Sequence, residues 1–301
     1  MAQHGTPTMG PIARKVVAEL RKHKRRHVVD VAQWREAEEI AKEVLDGASP
    51  PPGGEDLPPA FALYSFVTNF AVGLVEILQE LPQLRRFIDR IEEAEDEYMP
   101  SGPPMSPLTR SFFWHGMLWD TTVGVQRETL GSILLAIART LEMDSGFVSV
   151  LEKLSASRLG LHVLEPRAED RIVLRELVTD ERKPSISPAG YDGSPGQLWL
   201  ARVVPPPAPH LPSVVITTPY VILAPGVSGW DAYLDRTLPR IAAKNRLDAY
   251  RLLMKHGLEP MYWSEYVLAA YVNHVPEAIF LTGLPDVAES RPHSRADAFS
   301  G

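Results

Sequence analysis

The chain has 301 residues, 45% of them apolar and 23% charged, a formal net charge of −7 and no cysteine. The missing thiols exclude disulfides, thiolate metal sites, iron–sulfur clusters and a cysteine nucleophile. The acidic balance supplies no global attraction to nucleic acid or to an anionic membrane, and the length allows one large domain or a few smaller ones.

In chain order, the opening stretch MAQHGTPTMGPIARKVV lacks the long apolar core of a secretion signal. Together with the absence of cysteine this predicts an intracellular, cytoplasmic protein. Residues Pro11 to Leu45 are rich in helix formers. They contain the run RKHKRRH, in which Arg21, Lys22, Lys24, Arg25 and Arg26 form a basic patch able to contact phosphates. His23 and His27 have the spacing to share a metal on a helix, but the surrounding cations oppose one, so no metal is expected. The segment 47–59 is a Pro/Gly linker by composition. It makes residues 1–46 a semi-independent helical arm.

Phe61 to Leu81 is long and apolar enough to resemble a membrane span. Its polar residues Ser65, Thr68, Asn69, Glu76 and Gln79 nevertheless fall within an arc of about 100° at the helical step. One polar stripe predicts a buried helix with one wet face, and no membrane partner. Leu84, Phe87, Ile88 and Ile91 then mark an amphipathic helix.

Four prolines within residues 100–107 precede the ring-rich SFFWHGMLWD. A helix from Pro107 to Trp119, capped by Ser106, would be apolar all round and buried. His115 would share a face with Leu108, Phe112 and Trp119. Asp120 would point about 140° away from it. The expected role for His115 is a neutral core histidine; catalysis is its competing role. Leu130, Ile133, Leu134, Ile137, Ala138 and Leu141 predict a further amphipathic helix, and GFVSVLEKLSASR a short one.

From Leu159 the pattern changes. LGLHVLEP, DRIVLRELVTD, GQLWLARVV and SVVITTPYVIL read as short strands separated by turn and proline signals. Ser194-Pro195-Gly196 suits a type II turn. Short strands that do not alternate with helices predict a small antiparallel barrel or curled sheet. From Gly229 the chain again reads as helical, with Gly257 as a cap and an aromatic segment containing Tyr262, Trp263 and Tyr266. Ser228 is expected to cap the first of these helices. Asp231 and Asp235 share a helix face, but the basic residues after them suggest a surface charge pattern.

No phosphate loop, zinc-hydrolase motif or nucleophile elbow is present; GVSGW and DGSPG only approach the last of these. The second half of a would-be helix-turn-helix at residues 240–275 has no lysine or arginine with which to read DNA.

The fold expected is therefore α+β: a mostly helical chain with a small antiparallel β-barrel-like module inserted between N- and C-terminal helices. The expected organisation is arm 1–46, linker 47–59, helical region 60–158, β module 159–226, C-terminal helices 227–285 and tail 286–301. The leading functional expectation is a non-enzymatic binding or scaffold protein, with no cofactor. It would make protein–protein contacts through the arm and through Tyr262, Trp263 and Tyr266. An enzyme is the alternative, with a pocket between the helical region and the β module and His115, Asp120 and Tyr191 as catalytic candidates. A nucleic-acid partner for the basic run is the third reading.

Overall fold

Helix formers and a 3.6-residue apolar repeat shape the first half of the chain. The computed structural model describes residues 9–22, 31–47, 49–78, 81–98 and 106–293. Seven helices come first: α1 (Pro11–Lys22), α2 (Val31–Leu45), α3 (Pro59–Leu78), α4 (Arg85–Tyr98), α5 (Arg110–His115), α6 (Leu130–Thr140) and α7 (Ser145–Ala156). Thr129 and Ser132 form a reciprocal capping box at the start of α6, and the Asp144 side chain caps α7. α3 buries Leu63, Tyr64, Val67 and Leu74, while Asn69 is exposed. No described helix is long and apolar enough to cross a membrane.

The expectation of a semi-independent arm is corrected. Val16 and Val17 of α1 and Trp34, Ala41 and Val44 of α2 are buried in the same core as α3, α6 and α7. Trp34 packs edge-on against Phe70 and Phe147, with centroids 5.2 and 6.4 Å away. The first turn of α1 is held from across the chain. Glu128, itself buried, accepts the backbone N–H groups of Ile12 and Ala13, both at 2.9 Å. A carboxylate there satisfies orphan donors and meets the positive end of the helix dipole. Gly10 leaves room for it, since a Cβ at that position would lie 2.2 Å from the Glu128 carboxyl carbon. The linker composition of 47–59 separates the helices without undocking them, because burial of the α1 and α2 faces outweighs chain flexibility. Replacing Glu128 with alanine is expected to destabilise the protein by about 1–2 kcal/mol. Amide exchange should then accelerate first in α1; unchanged protection there would show that the cap contributes nothing.

The β module is a closed five-stranded barrel with further strands attached. Its strands are β1 (Leu159–Ala168), β2 (Arg171–Glu176), β3 (Arg182–Ile186), β4 (Leu198–Val204) and β5 (Ser213–Val215), followed by β6 (Tyr220–Ala224). The order around the barrel is β1-β2-β3-β5-β4, closed by antiparallel pairing of β1 with β4; only β3 and β5 run parallel. The free edge of β4 carries β5 at its C-terminal end and β6 at its N-terminal half. Leu164, Ile172, Leu174, Trp199, Ala201 and Val215 fill one interior face. Gly196 adopts φ +92° and Gln197 N–H bonds to the Ser194 carbonyl at 3.1 Å, as the type II turn requires.

Three local expectations change. The ring-rich helix starts at Arg110, with Thr109 rather than Ser106 as its cap. The helix α8 (Val227–Thr237) begins one residue before Ser228, with Gly226 at the cap position and no side-chain cap. The C-terminal region is not all helical. After α9 (Arg246–His256) and α10 (Tyr262–Ala270), the chain forms a hairpin of β7 (Tyr271–Val275) and β8 (Ala278–Thr282). β8 pairs parallel with β6, so this hairpin extends the sheet of the β module. Pairing across the sheet overrides the helical continuation read from residues 271–275. Residues 294–301 of the expected tail lie outside the described residues.

Candidate functional site

α5 does not end in the usual way. It continues as a π-helical turn, Gly116–Asp120, in which Thr121 N–H reaches back five residues to the Gly116 carbonyl at 2.9 Å. Such turns insert a residue into the helical register and recur at functional sites. Here the turn ends on Asp120, in the lining of a cavity of about 380 Å³. That volume suits a small organic molecule.

The cavity lies where the expected helical region, β module and C-terminal helices meet. Phe112, Phe113 and Met117 form one wall and Leu159 another. Met261, Tyr262 and Trp263, around the start of α10, complete the apolar lining. Two residues on its boundary, Arg127 and Met261, hold left-handed backbone conformations, φ +50° and +61°. Non-glycine residues adopt these at an energetic cost and persist in them only when the surroundings dictate it. Thr217 also lines the cavity, and its buried hydroxyl makes no protein hydrogen bond.

The floor is an ionic network. Arg202, on β4 and 1% exposed, faces the Asp120 carboxylate with both terminal nitrogens. Its Nη1 also donates to Ser157 Oγ at 2.9 Å. Lys255 on α9 donates to the Ser155 and Ser157 carbonyls at 2.7 and 2.8 Å and lies 3.4 Å from Asp120 Oδ1. Burial pushes the Lys255 ammonium down to about 8, against the opposing pull of Asp120. With three acceptors around it, the ammonium is a fixed charge, and its nitrogen offers no free lone pair.

His256, the next residue, contacts the backbone of the same turn. Its Nδ1 lies 2.7 Å from the Asp120 carbonyl oxygen. A carbonyl only accepts, so Nδ1 carries the proton and the neutral ring keeps its lone pair on Nε2. Burial lowers the His256 pKa; Lys255 and Arg127 lower it further, and Asp120 opposes them.

A second polar cluster lies behind this floor. Arg158 clamps the buried Glu176 through both nitrogens, at 2.6 and 3.1 Å, beside a separate cavity of about 560 Å³. The Tyr250 hydroxyl donates to Glu176 at 3.4 Å, and Lys183 lies 3.7 Å from it. Glu176 is held down to about 2, the Arg158 contacts outweighing the burial that would raise it.

The predicted site residues separate. Asp120 is in the cavity. His115 is not: it is buried, its Nδ1 lies 2.8 Å from the Ser111 carbonyl, and its Nε2 has no partner. Burial, with Arg202 nearby, pushes its pKa down to about 3. It is a core residue outside the cavity lining, as the leading expectation had it. Tyr191 packs on Trp199 and Phe280 at the barrel interior, centroids 5.6 and 6.0 Å away, apart from the cavity. Trp263 and Tyr266 are buried in an edge-to-face cluster with Trp230, and Tyr262 is half-buried with its hydroxyl 2.7 Å from that of Tyr233. Their expected role as an external contact surface is therefore corrected; the aromatic rings pack inward. Arg21 and Lys22 close α1, while Lys24, Arg25 and Arg26 lie outside the described residues.

Sequence reasoning missed Arg202, Lys255, His256 and Ser157. One signal was available: Arg202 is the lone charge in the apolar run LWLARVV, and a charge in a buried strand requires a partner. Lys255 and His256 precede Gly257 and read as ordinary cations at a helix C-terminus. No family model, curated protein or solved structure matches this chain.

Proposed function

We propose that the chain binds a small organic acid with an apolar, aromatic-sized body in the cavity beneath the π-helical turn. The observation that supports this reading is the sign of the cavity in an acidic protein. Four cations, Arg90, Arg127, Arg202 and Lys255, line it against two carboxylates, Asp120 and Glu259, while the whole chain carries −7. Arg202 and Lys255 are neutralised in part by Asp120. The side chains of Arg90 and Arg127 form no ion pair or hydrogen bond among the described residues, which leaves both guanidinium forks available to a carboxylate. The aromatic wall would take the ligand's apolar part. This keeps binding as the leading function and replaces a protein partner with a small molecule. It also adopts the location expected for the enzymatic alternative.

Gly116 offers a direct test. It lines the cavity, has helical φ −62°, and a Cβ there would meet no heavy atom within 4 Å. Gly116→Ala is expected to stabilise the fold by about 0.5–1 kcal/mol, because glycine loses more backbone freedom on folding. Gly116→Leu should fold equally well but fill the space. In calorimetric titration with phenylacetate, wild type should bind and Gly116→Leu should not. Equal binding by both proteins, or none by wild type, would overturn the reading.

A further inference from the structure

We propose that His256 reads a hydroxyl on the bound acid, so that the ligand class is an aromatic or similarly apolar hydroxy acid rather than a plain or keto acid. This rests on the acid-binding reading above and deepens it. The imidazole lines the cavity and is held in one tautomer by the backbone of the π-helical turn: Nδ1–H donates to the Asp120 carbonyl at 2.7 Å. The nitrogen left over, Nε2, is an acceptor and nothing else while the ring is neutral. The cavity's other side-chain nitrogens belong to Arg90, Arg127, Arg202, Lys255 and Trp263, and are all donors. Of these, the Trp263 N–H is already given to the Leu253 carbonyl at 2.8 Å. His256 is thus a neutral acceptor among cations. A hydroxyl can donate to it; a ketone in the same place would set one lone pair against another.

The groups around the ring favour the neutral form. Arg127 on the loop before α6 and Lys255 on its own helix oppose a second proton, as does burial. The Asp120 carboxylate on the π-helical turn favours protonation but is itself engaged by Arg202 and Lys255. Arg90 on α4 and Glu259 are the remaining charges on the cavity wall.

The test uses three acids of one shape at about pH 7.5, above the ordinary histidine range. Mandelate carries the hydroxyl, phenylacetate carries nothing at that carbon, and benzoylformate carries a ketone. The better-bound enantiomer of mandelate is expected to bind at least about tenfold more tightly than benzoylformate, with phenylacetate between them. His256→Phe and His256→Asn should bind all three and lose the preference. The asparagine amide can keep the hydrogen bond to the Asp120 carbonyl, which guards against a merely structural effect. Equal affinities in wild type, or a preference that survives both substitutions, overturn the role of His256 and leave the acid pocket standing. Failure of all three to bind overturns both.

Discussion

Acidifying the protein from about pH 7 to pH 5 is expected to remove about 4 kcal/mol of folding stability, before any carboxylate titrates appreciably. His115 and His162 are both fully buried, and burial pushes both down to about 3 from an ordinary value of 6.5. Each stays neutral in the folded chain and takes up a proton in the unfolded one. The unfolded state therefore binds more protons between pH 6.5 and 3. Stability is fully present above 6.5 and falls as the pH drops through that window, by about 2 kcal/mol for each histidine at pH 5. His256, with its lowered value, acts in the same direction. Glu176 adds its loss only lower, between 4.5 and about 2. His115→Phe should remove about half of the fall between pH 7 and 5. Its Nε2 has no partner to lose, so the replacement sacrifices only the Nδ1 contact to Ser111. Urea unfolding at stepped pH would measure this. A midpoint that stays constant from pH 7 to 5 would show that the two rings are protonated in the folded protein.

Arg202→Met is expected to cost about 3–5 kcal/mol, the largest effect of any single substitution at the cavity. The loss arises from what remains. Asp120 would keep only the Lys255 contact at 3.4 Å, and Ser157 Oγ would lose its guanidinium partner. An apolar side chain of similar length fills the space but cannot offset a buried charge. Adding Asp120→Asn to Arg202→Met should restore part of the loss, giving a coupling energy of at least about 1 kcal/mol in a double-mutant cycle. Strictly additive losses would mean that the two side chains do not share a stabilising interaction. The same double variant should weaken acid binding less than Gly116→Leu does, because Arg90 and Arg127 remain in the cavity lining.

The helices were legible because their signal is local. α3, α4, α6 and α7 each show a polar stripe or an apolar face within a few turns, and the turn residues around 159–224 announce short strands. β3 escaped because RKPSI has no alternating pattern and holds Pro184, which a strand accommodates only where no donor is needed. The β7–β8 hairpin escaped because its register is fixed by pairing with β6, about fifty residues earlier in the chain. Tyr262, Trp263 and Tyr266 show the same gap at the level of burial: an aromatic-rich helix reads alike whether its rings face a partner or a core.

The amino-acid order alone determined the α+β class, the small barrel, the buried state of His115 and the lack of any thiol chemistry. These follow from composition and from periodicities of two and 3.6 residues, which act between near neighbours. Only the tertiary structure decided where the charges meet. Asp120, Ser157, Arg202 and the adjacent pair Lys255 and His256 come from three separate elements and the junction between α7 and β1, and no spacing in the sequence relates these four places. Projected on a straight α-helix, Asp120 faces away from His115. The π-helical turn rotates it toward Arg202 and turns its carbonyl to His256. A burial cost that no one of these groups could bear alone is offset only when the fold brings them together.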